Sequence, residues 1–207
     1  MWVQPYRNAQ VELVPPKVGH ESKVAVCLNA NAGDLIIPGA AAGPVVGTTI
    51  SLSAQNNVDL GQQITATNLA FIRAVTGRII DNNGAGNIDV TSNQVALRQG
   101  SATTDLILTV AANTLAAFSG RGIQISDADG FTVGTVVDPC TTVTTTGVSA
   151  TGDICLAATG AAGGITVSQN VTSTAGNVAL GAAGDITFSG ANGRVIAQGA
   201  TNRVSLQ

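Results

Sequence analysis

After Lys23 the chain contains no lysine, glutamate, histidine, tryptophan or tyrosine. The lack of histidine removes any Ser-His or Cys-His dyad from the body of the sequence. The lack of glutamate removes the bidentate residue that closes an EF-hand calcium loop. Charged residues make up 10% of the 207 residues, against roughly 25% in an average soluble domain. The net charge of −3 comes from scattered single residues with no basic cluster to neutralise phosphates, so nucleic acid is not an expected partner. No run approaches the roughly 18 apolar residues of a membrane-spanning helix. The N-terminus also lacks the basic start and apolar centre of a signal peptide. No Cys-x-x-Cys or Cys/His cluster suggests zinc, and no cofactor is expected.

What remains is rich in small and β-branched residues. The chain is 44% hydrophobic with 25 glycines and only 3% aromatics. Straight-chain helix formers are scarce, while Val, Ile and Thr favour pleated, half-buried surfaces. Both lysines (Lys17, Lys23), both glutamates (Glu12, Glu21), His20, Trp2 and Tyr6 fall within the first 23 residues. The chain therefore divides into a non-repetitive leader, 1–23, and a monotonous body, 24–207. The leader carries one strand candidate, Val11 to Val14, ended by Pro15-Pro16, which cannot donate to a ladder. It is expected to act as a cap on the body, as an arm pairing with a neighbour, or as a tail.

The body consists of short alternating apolar runs, each introduced by Gly and a polar or small residue. Examples are Gly33-Asp34-Leu35, Gly77-Arg78-Ile79, Gly86-Asn87-Ile88, Gly152-Asp153-Ile154, Gly176-Asn177-Val178, Gly184-Asp185-Ile186 and Gly193-Arg194-Val195. Near the C-terminus the apolar residue after this signal sits at 178, 186, 195 and 204, the spacing of a strand plus a turn. Strands this short cannot bury an apolar face alone, but stacking coil on coil gives each one two partners. The expected fold is all-β, a single elongated parallel β-helix (β-solenoid). A β-sandwich shares the spacing but usually wants a large aromatic plug. Spacing is less regular between Asp81 and Pro139, where longer loops are expected.

The stretches Gly122 to Val136 (GIQISDADGFTVGTV) and Gly164 to Phe188 (GITVSQNVTSTAGNVALGAAGDITF) resemble repeats of filamentous-haemagglutinin-type exoproteins and giant bacterial adhesins. The likeness covers about residues 24–207. It implies a right-handed parallel β-helix, export from a Gram-negative bacterium, and a stiff rod displayed at the cell surface or secreted for adhesion, aggregation or self-assembly. The implied partners are further copies or adjacent repeats end to end, surface glycans, and a host or biofilm surface. The chain lacks the Asn-Pro-Asn-Gly motif of that family's secretion domain.

The three cysteines allow at most one intrachain disulfide. Cys140 and Cys155 lie fifteen residues apart, near the length of a small coil or two strand-turn units. On adjacent rungs they would fall within bonding reach, in the oxidising compartment that the resemblance implies. Cys27 reads as an inert small side chain. Asp127 and Asp129 are weak metal candidates, since Asp-Ala-Asp-Gly is similar to the opening of a calcium loop. Turn aspartates accepting local N–H bonds explain them better. No catalytic or cofactor-binding residue is assigned, and the chain is expected not to be an enzyme. The alternative is a β-helical polysaccharide-active enzyme or tail-spike-like carbohydrate-binding protein. It would need Asp81, Asp89, Asp105, Asp127, Asp129 and Asp138 to converge with Arg121. Thr132 to Thr135 and Thr141 to Thr146 raise a flat threonine face, but their spacing is too uneven to show a ladder.

Overall fold

The computed structural model describes residues 9–10, 25–39, 44–84 and 86–207. Among the described residues there is no helix, and parallel strands stack in about eight coils, a β-solenoid. The C-terminal half shows the plan most simply. Strands β10 (Ile123–Asp127), β15 (Ile154–Ala158), β18 (Val178–Ala182) and β21 (Val204–Leu206) stack as one face. Strands β11 (Phe131–Val133), β16 (Ile165–Val167) and β19 (Ile186–Phe188) form a second. Strands β14 (Val148–Ala150), β17 (Val171–Ser173) and β20 (Val195–Ala197) form the third. The residues 178, 186 and 195 thus begin or lie in three successive faces, and Val204 pairs with Val178 one coil on. The interval seen in the sequence is one strand and one corner, and three of them make a coil.

In the N-terminal half the second and third faces merge. The first face holds β3 (Leu35–Ile37), β5 (Val58–Leu60) and β7 (Ile79–Asp81), with β1 (Ala9–Gln10) beside β3. The rest of each coil is one long bent strand: β4 (Val45–Ala54), β6 (Ile64–Ala74) or β8 (Val90–Gln99). Strand β2 (Ala25–Ala30) pairs on the free side of β4, and β9 (Leu106–Ser119) runs along all three faces. The leader therefore adds at least Ala9 and Gln10 to the first face, in register with Leu35 and Ile36. The strand expected at Val11 to Val14 lies outside the described residues. The middle stretch does contain a long loop after β7, but it also holds β8 and β9, strands of 10 and 14 residues.

Alternation places the apolar residues. One inward column runs Leu28, Leu52, Ile72, Leu97, Ala117, Val148, Val171 and Val195, each paired with the next. Leu52, Ile72 and Leu97 are fully buried, and burial of each such side chain contributes about 1.5–3 kcal/mol. The neighbouring column runs Ala30, Ala54, Ala74, Gln99, Ser119, Ala150, Ser173 and Ala197, so a coil takes between 20 and 31 residues. Length differences are absorbed at corners and at one-residue register shifts within the long bent strands, between Gly47 and Thr49 and between Thr65 and Leu69.

The first face is interrupted once. Strand β7 ends the four-stranded sheet β1-β3-β5-β7 and has no ladder partner in the next coil. The fully buried Gln99 supplies substitute bonds there. Its Oε1 accepts from the Ile79 N–H at 2.9 Å, and its Nε2 donates to the Thr104 carbonyl at 2.7 Å.

Candidate functional site

The longest coil carries an excursion. Between β11 and β14 the chain forms an antiparallel hairpin, β12 (Thr135–Val137) with β13 (Thr144–Thr146). This hairpin lies as a strap over the outward column Cys27–Ser51–Phe71–Ala96–Ala116, one residue from each of five successive coils. Strap residues meet that column at every second position, as extended backbone requires. Val136, 1% exposed, packs with Phe71, Ala96 and Ala116. The fully buried Asp138 accepts from the Ser51 hydroxyl at 3.0 Å and from the Cys140 N–H at 2.9 Å. Cys140 is disulfide-bonded to Cys27, with Cα atoms 6.1 Å apart. Thr145, the buried middle residue of β13, accepts from Arg98 at 3.3 Å, and the Arg98 guanidinium lies 5.0 Å from the Phe118 ring centroid.

This corrects the expected Cys140–Cys155 pairing. Fifteen residues are shorter than any coil here, and the chain between the two cysteines returns along β13 and crosses the third face in β14. Cys155 thereby emerges on the first face, opposite Gln124 and Ala179, as an exposed free thiol. Cys27 is a cross-link and not an inert side chain. The only hint of this in the sequence was the irregular spacing before Pro139.

The aspartates fall into distinct roles. At the corner before the first face, Asp34 Oδ1 accepts from the Asn57 N–H at 2.9 Å, and Asn57 Oδ1 accepts from the Arg78 N–H at 3.0 Å. The same ladder recurs with Asp153, Asn177 and Arg203, at 2.7 and 2.9 Å. At these first-face corners the polar residue of the signal, Asp34, Asp153 or Asn177, is therefore a coil-to-coil clamp. Asp105 serves there too, accepting from the Gly122 N–H at 3.1 Å and pairing with Arg121 at 3.2 Å.

Asp127 occupies an inward position, in register with Val110 and Ala158, and is fully buried. One carboxylate oxygen accepts from the Asp129 N–H and the other from the Ala112 N–H, both at 2.9 Å. Burial pushes its carboxyl above the usual range, with the neighbouring Asp129 charge adding to the rise and backbone N–H donors opposing it. Both oxygens are thus occupied by backbone donors, the arrangement of a structural turn.

Of the aspartates considered for catalysis, the structure brings together Asp81 and Asp89. Asp105, Asp127 and Asp138 occupy the separate positions described above. Asp89 is fully buried at the break in the first face. Its carboxyl is pushed up to about 7, first by burial and then by the Asp81 carboxyl beside it, against the lowering effect of the Thr109 N–H. Among the described residues no three His, Cys, Asp or Glu side chains converge.

A shallow polar groove of about 590 Å³ runs along the second face past Asn113, Asp129, Thr132 and Thr166. A smaller hollow of about 300 Å³ extends it past Asn93 and Thr91. Thr114, Thr132, Thr166 and Thr187 align here in one register column over four coils. The ladder that uneven spacing concealed is therefore present. It is one residue wide, because each short strand offers a single outward position between two inward ones.

In the last described coil, inward positions are exposed. Phe188 continues the inward position of Val167, and Val204 and Leu206 continue Val178 and Leu180. Yet Phe188, Val204 and Leu206 are 49%, 45% and 47% exposed. Strands β19, β20 and β21 each pair on one side only.

The fold and these surfaces define the class of the protein, a parallel β-solenoid with a strapped outer face. Comparison with known proteins finds no matching family model, curated sequence or solved structure.

Proposed function

We propose that the chain is a structural and adhesive segment of a bacterial surface or secreted fibre, acting as a stiff non-catalytic rod that extends end to end through a second copy or adjacent repeats. The observation that carries this is the unbroken register of the stack into its last described strands, whose edges and inward apolar side chains fit a further coil, from adjacent repeats or from a second copy. Exposed edges of this kind template further strands unless something covers them. The two ends offer matching faces. Strands β20 and β2 belong to the same stack, and β21 and β1 occupy the first face at opposite ends. Head-to-tail contact of this sort does not close on itself and grows as a filament. The likeness of the repeats to filamentous-haemagglutinin-type exoproteins supports display outside the cell, and a disulfide suits an oxidising compartment.

The test is sedimentation velocity over a hundredfold concentration range, with electron microscopy of the same samples. Concentration-dependent rods of increasing length are expected, and Leu206→Asp, at an exposed terminal position, should return them to single units. A single species at every concentration would sink the end-to-end reading.

The polar groove favours a second reading, glycan binding along the rod. Its neighbouring Asn93 and Asn113, joined by a 2.9 Å hydrogen bond, and Thr132 present amide and hydroxyl groups to a sugar. Retention on immobilised polysaccharide that is lost in Asn113→Ala would support it.

A further inference from the structure

The break in the first face leaves oxygen atoms without partners. The loop following β7 reads Asp81-Asn82-Asn83-Gly84 and resumes at Gly86-Asn87-Ile88-Asp89 before β8. Asp89 is fully buried, and its Oδ2 accepts from the Thr109 N–H at 2.7 Å. Its other oxygen, Oδ1, is buried and has no hydrogen-bond partner. The Asp81 carboxyl stands near enough for its charge to act on the Asp89 carboxyl, so two groups that both accept when ionised are neighbours. A third acceptor is stranded in the same loop: Asn83 Oδ1 is buried and unpartnered. The Asn83 amide is held in place by its own donors, Nδ2 to the Ile88 carbonyl at 3.1 Å and the backbone N–H to Asp81 Oδ1 at 3.1 Å.

A buried acceptor without a donor costs about 1–3 kcal/mol, and more when charged. Asp127 and Asp138 avoid this cost, because donors meet both oxygens, whereas Gln62 Nε2 and Ser92 Oγ are also buried without a partner. Stranded acceptors in one loop call for a positive charge, and among the described residues no lysine or arginine bonds to them. All three groups are hard oxygen donors, of carboxylate and amide type, the ligand set that calcium accepts in an irregular loop. Asp81 is exposed and Asp89 buried, so the acidic pair runs from the surface inward.

The spacing agrees. Asp81, Asn83, Gly86 and Asp89 stand at the first, third, sixth and ninth positions of a calcium loop, with Gly86 at φ +83° where the sharp turn needs it. The twelfth position is Ser92 in place of the bidentate glutamate, so affinity should fall in the weak, extracellular range. We propose that Asp81, Asn83 and Asp89 form a calcium site that closes the interrupted first face between the fourth and fifth coils.

The experiment uses the whole folded chain, stripped with EDTA, dialysed, and titrated with calcium chloride by calorimetry at pH 7.5. One saturable event is expected, with a dissociation constant on the order of 10⁻⁴ to 10⁻³ M and a calcium-dependent rise in thermal midpoint. Magnesium should bind several-fold more weakly, since it demands near-octahedral geometry. Asp89→Asn and Asp81→Asn should each weaken calcium at least about tenfold, while Asp129→Asn leaves it unchanged. Asp81 is exposed, so its variant keeps the test decisive should Asp89→Asn not fold. No calcium-dependent heat or midpoint shift up to about ten times the expected constant, or wild-type binding in Asp81→Asn, would overturn the site.

Discussion

Ser51 donates a hydrogen bond to Asp138 across 87 residues of sequence, at 3.0 Å and out of contact with solvent. The bond ties the strap to the second of the five coils it crosses, between the apolar contact of Val136 and the disulfide of Cys140. A buried carboxylate is tolerated here because donors surround it: Ser51, the Cys140 N–H and the Thr141 hydroxyl. Asp138→Ala removes the acceptor and strands all three, at a cost of about 1–3 kcal/mol. Asp138→Asn keeps Oδ1 for the Cys140 N–H, and its amide can donate to the Ser51 hydroxyl, so it should cost less. In a double-mutant cycle with Ser51→Ala, followed by urea unfolding, the two sites should couple. Additive losses would show that the Ser51 bond contributes nothing.

The disulfide joins residues 113 apart, so it restricts a very large loop in the unfolded chain. Reduction, or Cys140→Ser, should lower stability by about 2–4 kcal/mol. For a chain of this size that corresponds to a fall of roughly 5–15 °C in thermal midpoint. Loosening of the strap should uncover Leu69, Phe71, Ala96 and Ala116, read as dye binding without loss of β-sheet circular dichroism. Cys155→Ser should leave the midpoint unchanged, and in the oxidised chain Cys155 should be the one thiol that labels. A peptide map linking Cys140 to Cys155, or a free Cys27, would contradict this arrangement.

The contrast between coil and strap shows what a sequence of this kind reveals. Gly-polar-apolar signals such as Gly152-Asp153-Ile154 are legible because local chemistry repeats: the corner residue bonds the next coil and the apolar residue turns inward. The spacing of 178, 186, 195 and 204 therefore showed the strand unit before the coil was known. The strap was not legible, since Val136, Asp138 and Cys140 act on Phe71, Ser51 and Cys27, partners chosen by stacking and not by local pattern. The threonine column was hidden for the same reason. Corners of unequal length bring Thr114, Thr132, Thr166 and Thr187 into register, and linear spacing does not record that. For the acidic residues, Asp127 and Asp129 drew attention as a compact motif, yet their oxygens are engaged by backbone donors. The stranded acceptors lie at Asp81, Asn83 and Asp89, where the signal was a loop pattern spread over nine residues.

Asp127 also makes stability depend on pH in a direction opposite to that of most carboxylates. Burial dominates its surroundings and raises its carboxyl above the ordinary range, with the Asp129 charge adding to the rise and the N–H groups of Asp129, Ala112 and Gly130 opposing it. A raised value means that the folded chain holds the proton more tightly than the unfolded chain. The contribution of this group is therefore fully present below the unfolded value of about 4 and is lost as pH rises through the higher folded value. Asp127→Asn cannot titrate. It should be less stable than the wild type throughout, because its amide N–H₂ meets a backbone donor, but its deficit should shrink as pH climbs out of the acid range. Asp89 shifts in the same direction and is present in both proteins, so it cancels in the difference. Urea unfolding from about pH 4 to pH 8 measures that difference directly. A deficit that stays constant or grows with pH would mean that backbone donors, and not burial, govern Asp127.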